Sequence, residues 1–168
     1  KEMKVLVTII LLTIALWTAP VFAEYCERNP STGKISCKFV DTNGKPHNAA
    51  MTLTLTREGY SMMITISVKD WLMLGGATTA QMGDAEPVEI EYKGTRRDVA
   101  ESGLLMEAAV FLVDKEFLQK MHQSKGMIVF RIATEKKDLE VKFWARRFKK
   151  LGDYIEETQA FLNPTPTG

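Results

Sequence analysis

Apolar and polar residues alternate along most of the chain beyond residue 33. Met51, Leu53 and Leu55 interleave with Thr52, Thr54 and Thr56; Met62, Ile64, Ile66 and Val68 interleave with Met63, Thr65 and Ser67. A period of two places each apolar set on one face of a strand. Glu58 and Gly59 stand between the two runs, so together they predict a hairpin. Lys34 to Val40 predicts a further short strand, and the turn formers Asp41-Thr42-Asn43-Gly44-Lys45-Pro46 follow it. Val88, Ile90 and Tyr92 alternate with Glu89, Glu91 and Lys93, a run expected to end at Gly94. Leu104 to Val113 is almost wholly apolar, and Val110 and Phe111 favour a buried strand there.

The period then lengthens. Asp114 is placed to cap a helix reaching Lys125, with Phe117, Leu118 and Met121 on one face and Gly126 as the stop. Met127 to Ala133 and Leu139 to Phe143 predict a closing hairpin around the charged turn 134–138. From Arg147 to Leu162 the spacing is helical again, with Phe148, Leu151, Ile155 and Leu162 sharing a face. Six or seven strands with short connections favour antiparallel pairing. The expected fold is mainly β (α+β): an antiparallel β-sandwich or curled sheet, with one inserted helix and a C-terminal helix closing an edge.

The N-terminus changes the picture of where such a domain works. Lys1 and Lys4 precede an apolar run from Val5 to Trp17, Pro20 breaks it, and Val21-Phe22-Ala23 supplies a cleavage site. That pattern reads as a secretory signal peptide over 1–23, followed by one globular domain over 24–162 and a loose tail over 163–168. The run is shorter than the roughly 20 apolar residues of a spanning helix. No transmembrane anchor is expected after cleavage, and the location is periplasmic or secreted, in a Gram-negative bacterium. Cys26 and Cys37, the only cysteines, flank the turn cluster Asn29-Pro30-Ser31-Thr32-Gly33 and predict a disulfide. The chain beyond Ala23 carries twenty basic and twenty acidic side chains, which excludes a nucleic-acid protein working by bulk basicity.

Candidate chemistry is sparse. Leu74 to Gly83 contains Gly75 and Gly76 but lacks phosphate-loop spacing, so a flexible turn is expected. His47 and His122 belong to no metal-binding pattern, and His122 reads as a surface imidazole. Glu89 and Glu91 fall on one face of a strand, roughly 7 Å apart, as alternation alone produces. They are read as a solvated face. Met51, Met62, Met121 and Met127 fall on expected core positions, whereas Met63 and Met82 are the weak candidates for a copper site. No catalytic constellation emerges, and no cofactor is expected. A basic stretch, Lys142, Arg146, Arg147, Lys149 and Lys150, is interleaved with Phe143, Trp144 and Phe148. Positive charge at the start of the C-terminal helix opposes its dipole, which argues for a role in contacts. Trp71, Arg96, Arg97, Arg146, Arg147 and Lys150 are the candidate binding residues, with Trp71 and Trp144 equally able to anchor the core.

The order of features resembles the invasion-associated locus B family of exported bacterial proteins. The leader, the early pair Cys26 and Cys37, a hairpin, the Gly75-Gly76 loop, and an apolar strand running into a short helix (Ala108 to Lys125) carry the resemblance, over about residues 25 to 145. The family's second, central cysteine pair is absent, and the C-terminal helix is extra. The resemblance implies a small β-rich, non-enzymatic protein linked to the envelope or to host contact. The functional expectation is an exported binding or adaptor protein with an unknown envelope or secreted partner. The alternative is a periplasmic carrier of a small ligand or copper, its cleft between the sheet and the C-terminal helix.

Overall fold

The computed structural model of the chain describes residues 25–40, 48–56 and 58–162. The expected signal peptide over 1–23, the expected tail over 163–168, His47 and the expected turn after Val40 lie outside the described residues. Nine strands form one antiparallel sheet: β1 (Tyr25–Arg28), β2 (Ile35–Val40), β3 (Asn48–Leu55), β4 (Tyr60–Val68), β5 (Leu74–Met82), β6 (Val88–Val99), β7 (Leu105–Val113), β8 (Met127–Thr134) and β9 (Leu139–Trp144). Their order across the sheet is β1-β2-β3-β4-β7-β6-β5-β8-β9. Helix α1 (Lys115–Gln123) joins β7 to β8, and a 3-10 turn (Ala145–Phe148) leads from β9 into α2 (Leu151–Leu162).

The sheet curls into a half-barrel around a single core. Alternate residues face inward: Ile35, Cys37 and Phe39 on β2, Met62, Ile64 and Ile66 on β4, Ile128, Phe130 and Ile132 on β8. Phe148 of the 3-10 turn packs at a tilt against Phe39 of β2, 4.5 Å between ring centroids, and meets Phe143 of β9 edge-on at 6.3 Å. One side chain thus touches strands near both edges of the sheet. Leu151 and Ile155 continue the plug, and Arg28 on β1 pairs with Glu157 on α2. The expected curled sheet with an inserted and a C-terminal helix is what forms.

Local chemistry explains the turns. Cys26 and Cys37 face each other in register and are joined by the expected disulfide. Between them the Asn29 side-chain oxygen accepts hydrogen bonds from the Ser31 and Thr32 amides, an Asx turn that Gly33 completes at φ 66°. Asp114 caps α1 as expected, its carboxylate accepting from the Phe117 amide at 2.7 Å.

Several expectations are corrected. Leu74 to Met82 is strand β5, not a flexible turn, and it bridges β6 and β8 in mid-sheet. Gly94 does not end β6; it sits at a register shift, φ 138°, and the strand runs on to Val99. Helix α1 stops at Gln123 because Ser124 turns extended and returns its amide to Lys120 and Met121 carbonyls. Met127 faces outward, since Ile128, Phe130 and Ile132 take the inward phase of β8. The basic stretch precedes α2 instead of opening it, and the first turn of α2 carries Asp153. The opposition to the helix dipole is therefore reduced to Lys150, whose carbonyl accepts the Tyr154 amide at the helix start, and Asp153 partly offsets it.

Candidate binding sites at the two ends of the sheet

The candidate residues separate into two groups. Ile90, Thr78, Ile132 and Leu139 lie on one rung across β6, β5, β8 and β9. Arg96 and Arg97 lie farther along β6 on one side of that rung; Arg146, Arg147 and Lys150 lie beyond β9 on the other. At about 3.3 Å per residue, these are opposite ends of this part of the sheet. No single basic patch combines them.

At the first end, β7 points Glu107 inward beside Ala109 and Phe111, and its side chain is 0% exposed. Its carboxylate accepts hydrogen bonds from three consecutive amides, those of Leu72 (2.8 Å), Met73 (3.1 Å) and Leu74 (3.1 Å). Arg97 Nε donates to the same carboxylate at 2.9 Å. The charge is buried but fully met, which is the condition for tolerating it. Met73 takes a left-handed φ of 58° to aim these amides. The carbonyl of Leu74 accepts from Thr95 Oγ1 at 2.7 Å, and Tyr92 Oη is 2.5 Å from the same Thr95 oxygen. Trp71 rides on this braced loop, half-buried against the core. Arg97 is therefore committed to Glu107, whereas Arg96 is exposed on the other face of β6.

At the second end, Trp144 closes β9 with 40% of its surface exposed, opposite Met127 in register. The Arg146 guanidinium lies over its ring, 5.4 Å from the centroid. Lys150 is exposed beside this pair in sequence, and Arg147 is half-buried. Lys149 belongs to the scaffold: its ammonium donates to the His122 and Ser124 carbonyls at the end of α1. His122 is not a free surface imidazole. Its Nδ1 is 3.2 Å from the Phe148 carbonyl, and its ring packs so close to Gly152 that a Cβ there would stand 3.0 Å from Nε2.

Met63 and Met82 are not brought together. Met63 lies on the outer face of β4, and β7 and β6 separate that strand from β5, which carries Met82. No group of three His, Cys, Asp or Glu side chains among the described residues is arranged to hold a metal. Met82 instead lines a recess of about 430 Å³ with Ala80, Val88 and, from α1, Lys120 and Gln123. The space between the sheet and the 3-10 turn, by contrast, is filled by Phe39, Phe143 and Phe148. Glu89 and Glu91 are exposed, as expected of a solvated face, and Glu91 pairs with Lys93.

Glu107 was not singled out by sequence reasoning. Its signal was its phase: it shares the inward parity of Ala109 and Phe111 inside an apolar run. Among the described residues no helix is long and apolar enough to cross a membrane. No family model, curated protein or solved structure matches the chain, so the likeness to the invasion-associated locus B family rests on the order of its sequence features.

Proposed function

We propose that this chain is an exported, non-catalytic binding or adaptor protein of the bacterial cell envelope, working in the periplasm or outside the cell. The observation that carries the reading is Trp144, a large aromatic left 40% exposed at the end of the last strand with Arg146 stacked on it. Aromatic and arginine side chains of this kind dominate the energetics of protein interfaces. The Cys26–Cys37 disulfide is consistent with an oxidising, extracytoplasmic compartment. The resemblance to the invasion-associated locus B family points the same way.

In-cell cross-linking of the tagged chain tests it. One dominant envelope or secreted partner should appear, and Trp144→Ala or the charge reversal Arg146→Glu/Lys150→Glu should reduce its capture about tenfold or more with the melting temperature unchanged. A partner captured equally by these variants would remove the site from consideration. A second reading, a small-ligand or copper carrier, is favoured by the Met82 recess beside α1. It requires that an apolar ligand or Cu(I) raise the melting temperature of the native chain and lose that effect in Met82→Ala.

A further inference from the structure

Strand β6 is the longest in the sheet, and its two sides are covered over different lengths. It pairs with β7 from residue 91 to residue 99, but with β5 only over residues 88–90, opposite 78–80. Beyond that contact β5 is drawn away. The amides of Leu72, Met73 and Leu74 go to Glu107, and the Leu74 carbonyl accepts from the Thr95 hydroxyl. Among the described residues, no strand lies along this side of β6 past residue 90. The later part of β6 is thus a sheet edge within the strand order. Exposure agrees with this. Arg96, Arg97, Asp98 and Val99 are all exposed, and Val99, at 55%, is the most exposed large apolar side chain of those described.

The hairpin that follows β6 fixes which main-chain groups this edge presents. The Ala100 amide donates to the Leu104 carbonyl at 2.9 Å, so Ala100 bonds toward β7. Antiparallel pairs alternate between hydrogen-bonded and non-bonded positions. Asp98 and Arg96 therefore bond toward β7, and Thr95, Arg97 and Val99 turn their amides and carbonyls to the open side. The Val99 amide is met there only by its neighbour's side chain, Asp98 Oδ1 at 2.8 Å. Side chains decide which strand such an edge can accept. Arg96 and Asp98 share the outer face, and Arg97, between them, faces inward to Glu107. A second copy laid antiparallel about Arg97 brings each Arg96 opposite the Asp98 of the other copy, and each Thr95 opposite the other's Val99. The main-chain phase matches in the same register, because all three open residues then meet open residues. Centring the pair on Arg96 or on Asp98 would instead set like charges against each other.

We propose that two copies of this chain pair through the open side of β6, antiparallel about Arg97, with Arg96 and Asp98 forming ion pairs across the two-fold axis. Asp98 then releases the Val99 amide, which donates to the Thr95 carbonyl of the second copy. Val99 is covered by the second copy's Thr95, a cross-strand pair of β-branched side chains. The two Arg97 side chains face each other at the axis, each with its charge already met by Glu107. Charged side chains on an edge ordinarily keep other strands away. Here their order repels an arbitrary strand and matches a copy of itself. The paired stretch, 95–99, is short for a stable interface, so the dimer forms at high concentration and dissociates on dilution. Trp144 and Arg146 lie at the other end of this part of the sheet and stay outside the contact, so the dimer presents that surface twice.

Sedimentation velocity of the disulfide-bonded chain, from micromolar to millimolar concentration, is the test. A monomer–dimer equilibrium is expected, weakening as salt is raised. Arg96→Asp and Asp98→Arg each set like charges together and should weaken the dimer about tenfold, and the exchange of both, Arg96→Asp/Asp98→Arg, should restore it. Val99→Pro removes a donor that points away from β7, so the monomer should stay folded while the dimer is lost. Circular dichroism checks the fold of each variant, and the charge variants, at exposed positions, carry the test should Val99→Pro unfold. Trp144→Ala should leave the dimer unchanged. A monomer at every concentration, a dimer retained by folded Val99→Pro, or a double exchange no better than the single variants would each overturn the proposal. A dimer lost in Trp144→Ala would assign self-association to the other end of the sheet and overturn it as well.

Discussion

A carboxylate with no solvent exposure usually signals either a ligand or a brace, and at Glu107 the partners decide for the brace. Four donors converge on it, three of them successive backbone amides of a loop that would otherwise leave them unpaired. Glu107→Gln replaces one acceptor oxygen with an amide that itself donates, so donor meets donor in a dry site. Unfolding by urea should show a loss of about 3 kcal/mol, whereas Arg97→Met, at a side chain 39% exposed, should cost nearer 1 kcal/mol. Equal losses would mean that the ion pair, and not the amide cradle, holds the loop. Thr78 makes the reverse case. Its hydroxyl is buried on β5 with no hydrogen-bond partner among the described residues. Thr78→Val keeps the shape and removes the unmet group, so stability should rise by about 1 kcal/mol, read from the urea midpoint at constant slope. A fall would show that an ordered water or a main-chain group satisfies the hydroxyl. Neither residue could have been ranked from sequence: the three amides that meet Glu107 lie 33 to 35 residues away and are brought to it by register, and Thr78 sits in a stretch that reads as a turn.

At the scale of elements, the strands with clean alternation were legible, β7 was legible from its apolar run, and β5 was not. β3, β4 and β9 each keep one dry and one wet face, so their period survives in the residue types. β5 hides its period behind Gly75, Gly76 and Ala77, residues of low strand propensity, and becomes a strand only because β6 and β8 supply hydrogen-bonding edges on both sides. The outer face of β8 and β9 shows what the polar phase contributes. Glu140 receives Arg131 from the neighbouring strand at 3.3 Å and Lys142 from its own. The Lys142 hydrogen bond, more than any other influence, holds the Glu140 carboxyl below its ordinary range, with desolvation opposing. A depressed carboxylate stabilises the fold above its unfolded pKa, about 4.3, and that gain is lost as pH falls through the folded value. Because both partners are well exposed, screening limits it to about 0.5 kcal/mol. Urea unfolding from neutrality into acid should therefore show wild type losing slightly more stability than Glu140→Gln. Parallel pH profiles for the two proteins would rule the contribution out. The same separation by elements accounts for the candidate binding residues. Their charges were readable along the chain, but Arg96 and Arg146 are parted by the sense in which β6 and β9 run from a shared rung.

For the whole molecule, the question is what stops a nine-stranded antiparallel sheet from ending in two bare edges. β1 is only four residues long, and β9 turns Glu140, Lys142 and Trp144 outward, which discourages pairing with another chain. The curl brings the two margins close enough for the segment after β9 to plug the gap, and Phe148 is the point of contact, reaching Phe39 from one margin and Phe143 from the other. Its position was legible as one apolar residue on a helical face; that it joins strands at opposite ends of the chain was not, because closure depends on the cumulative twist of nine strands. Phe148→Ala removes this bridge and leaves a cavity between two rings that cannot close over it without uncurling the sheet. The expected cost is about 3–5 kcal/mol of unfolding free energy. Hydrogen exchange distinguishes a bridge from ordinary core packing. Protection should fall first at β1, β2 and β9, and persist at β4 and β7 in the middle of the sheet, because only the margins depend on the plug. A uniform loss of protection across all nine strands would mean that Phe148 stabilises the core as a whole, and the half-barrel would then hold its curl without the C-terminal segment.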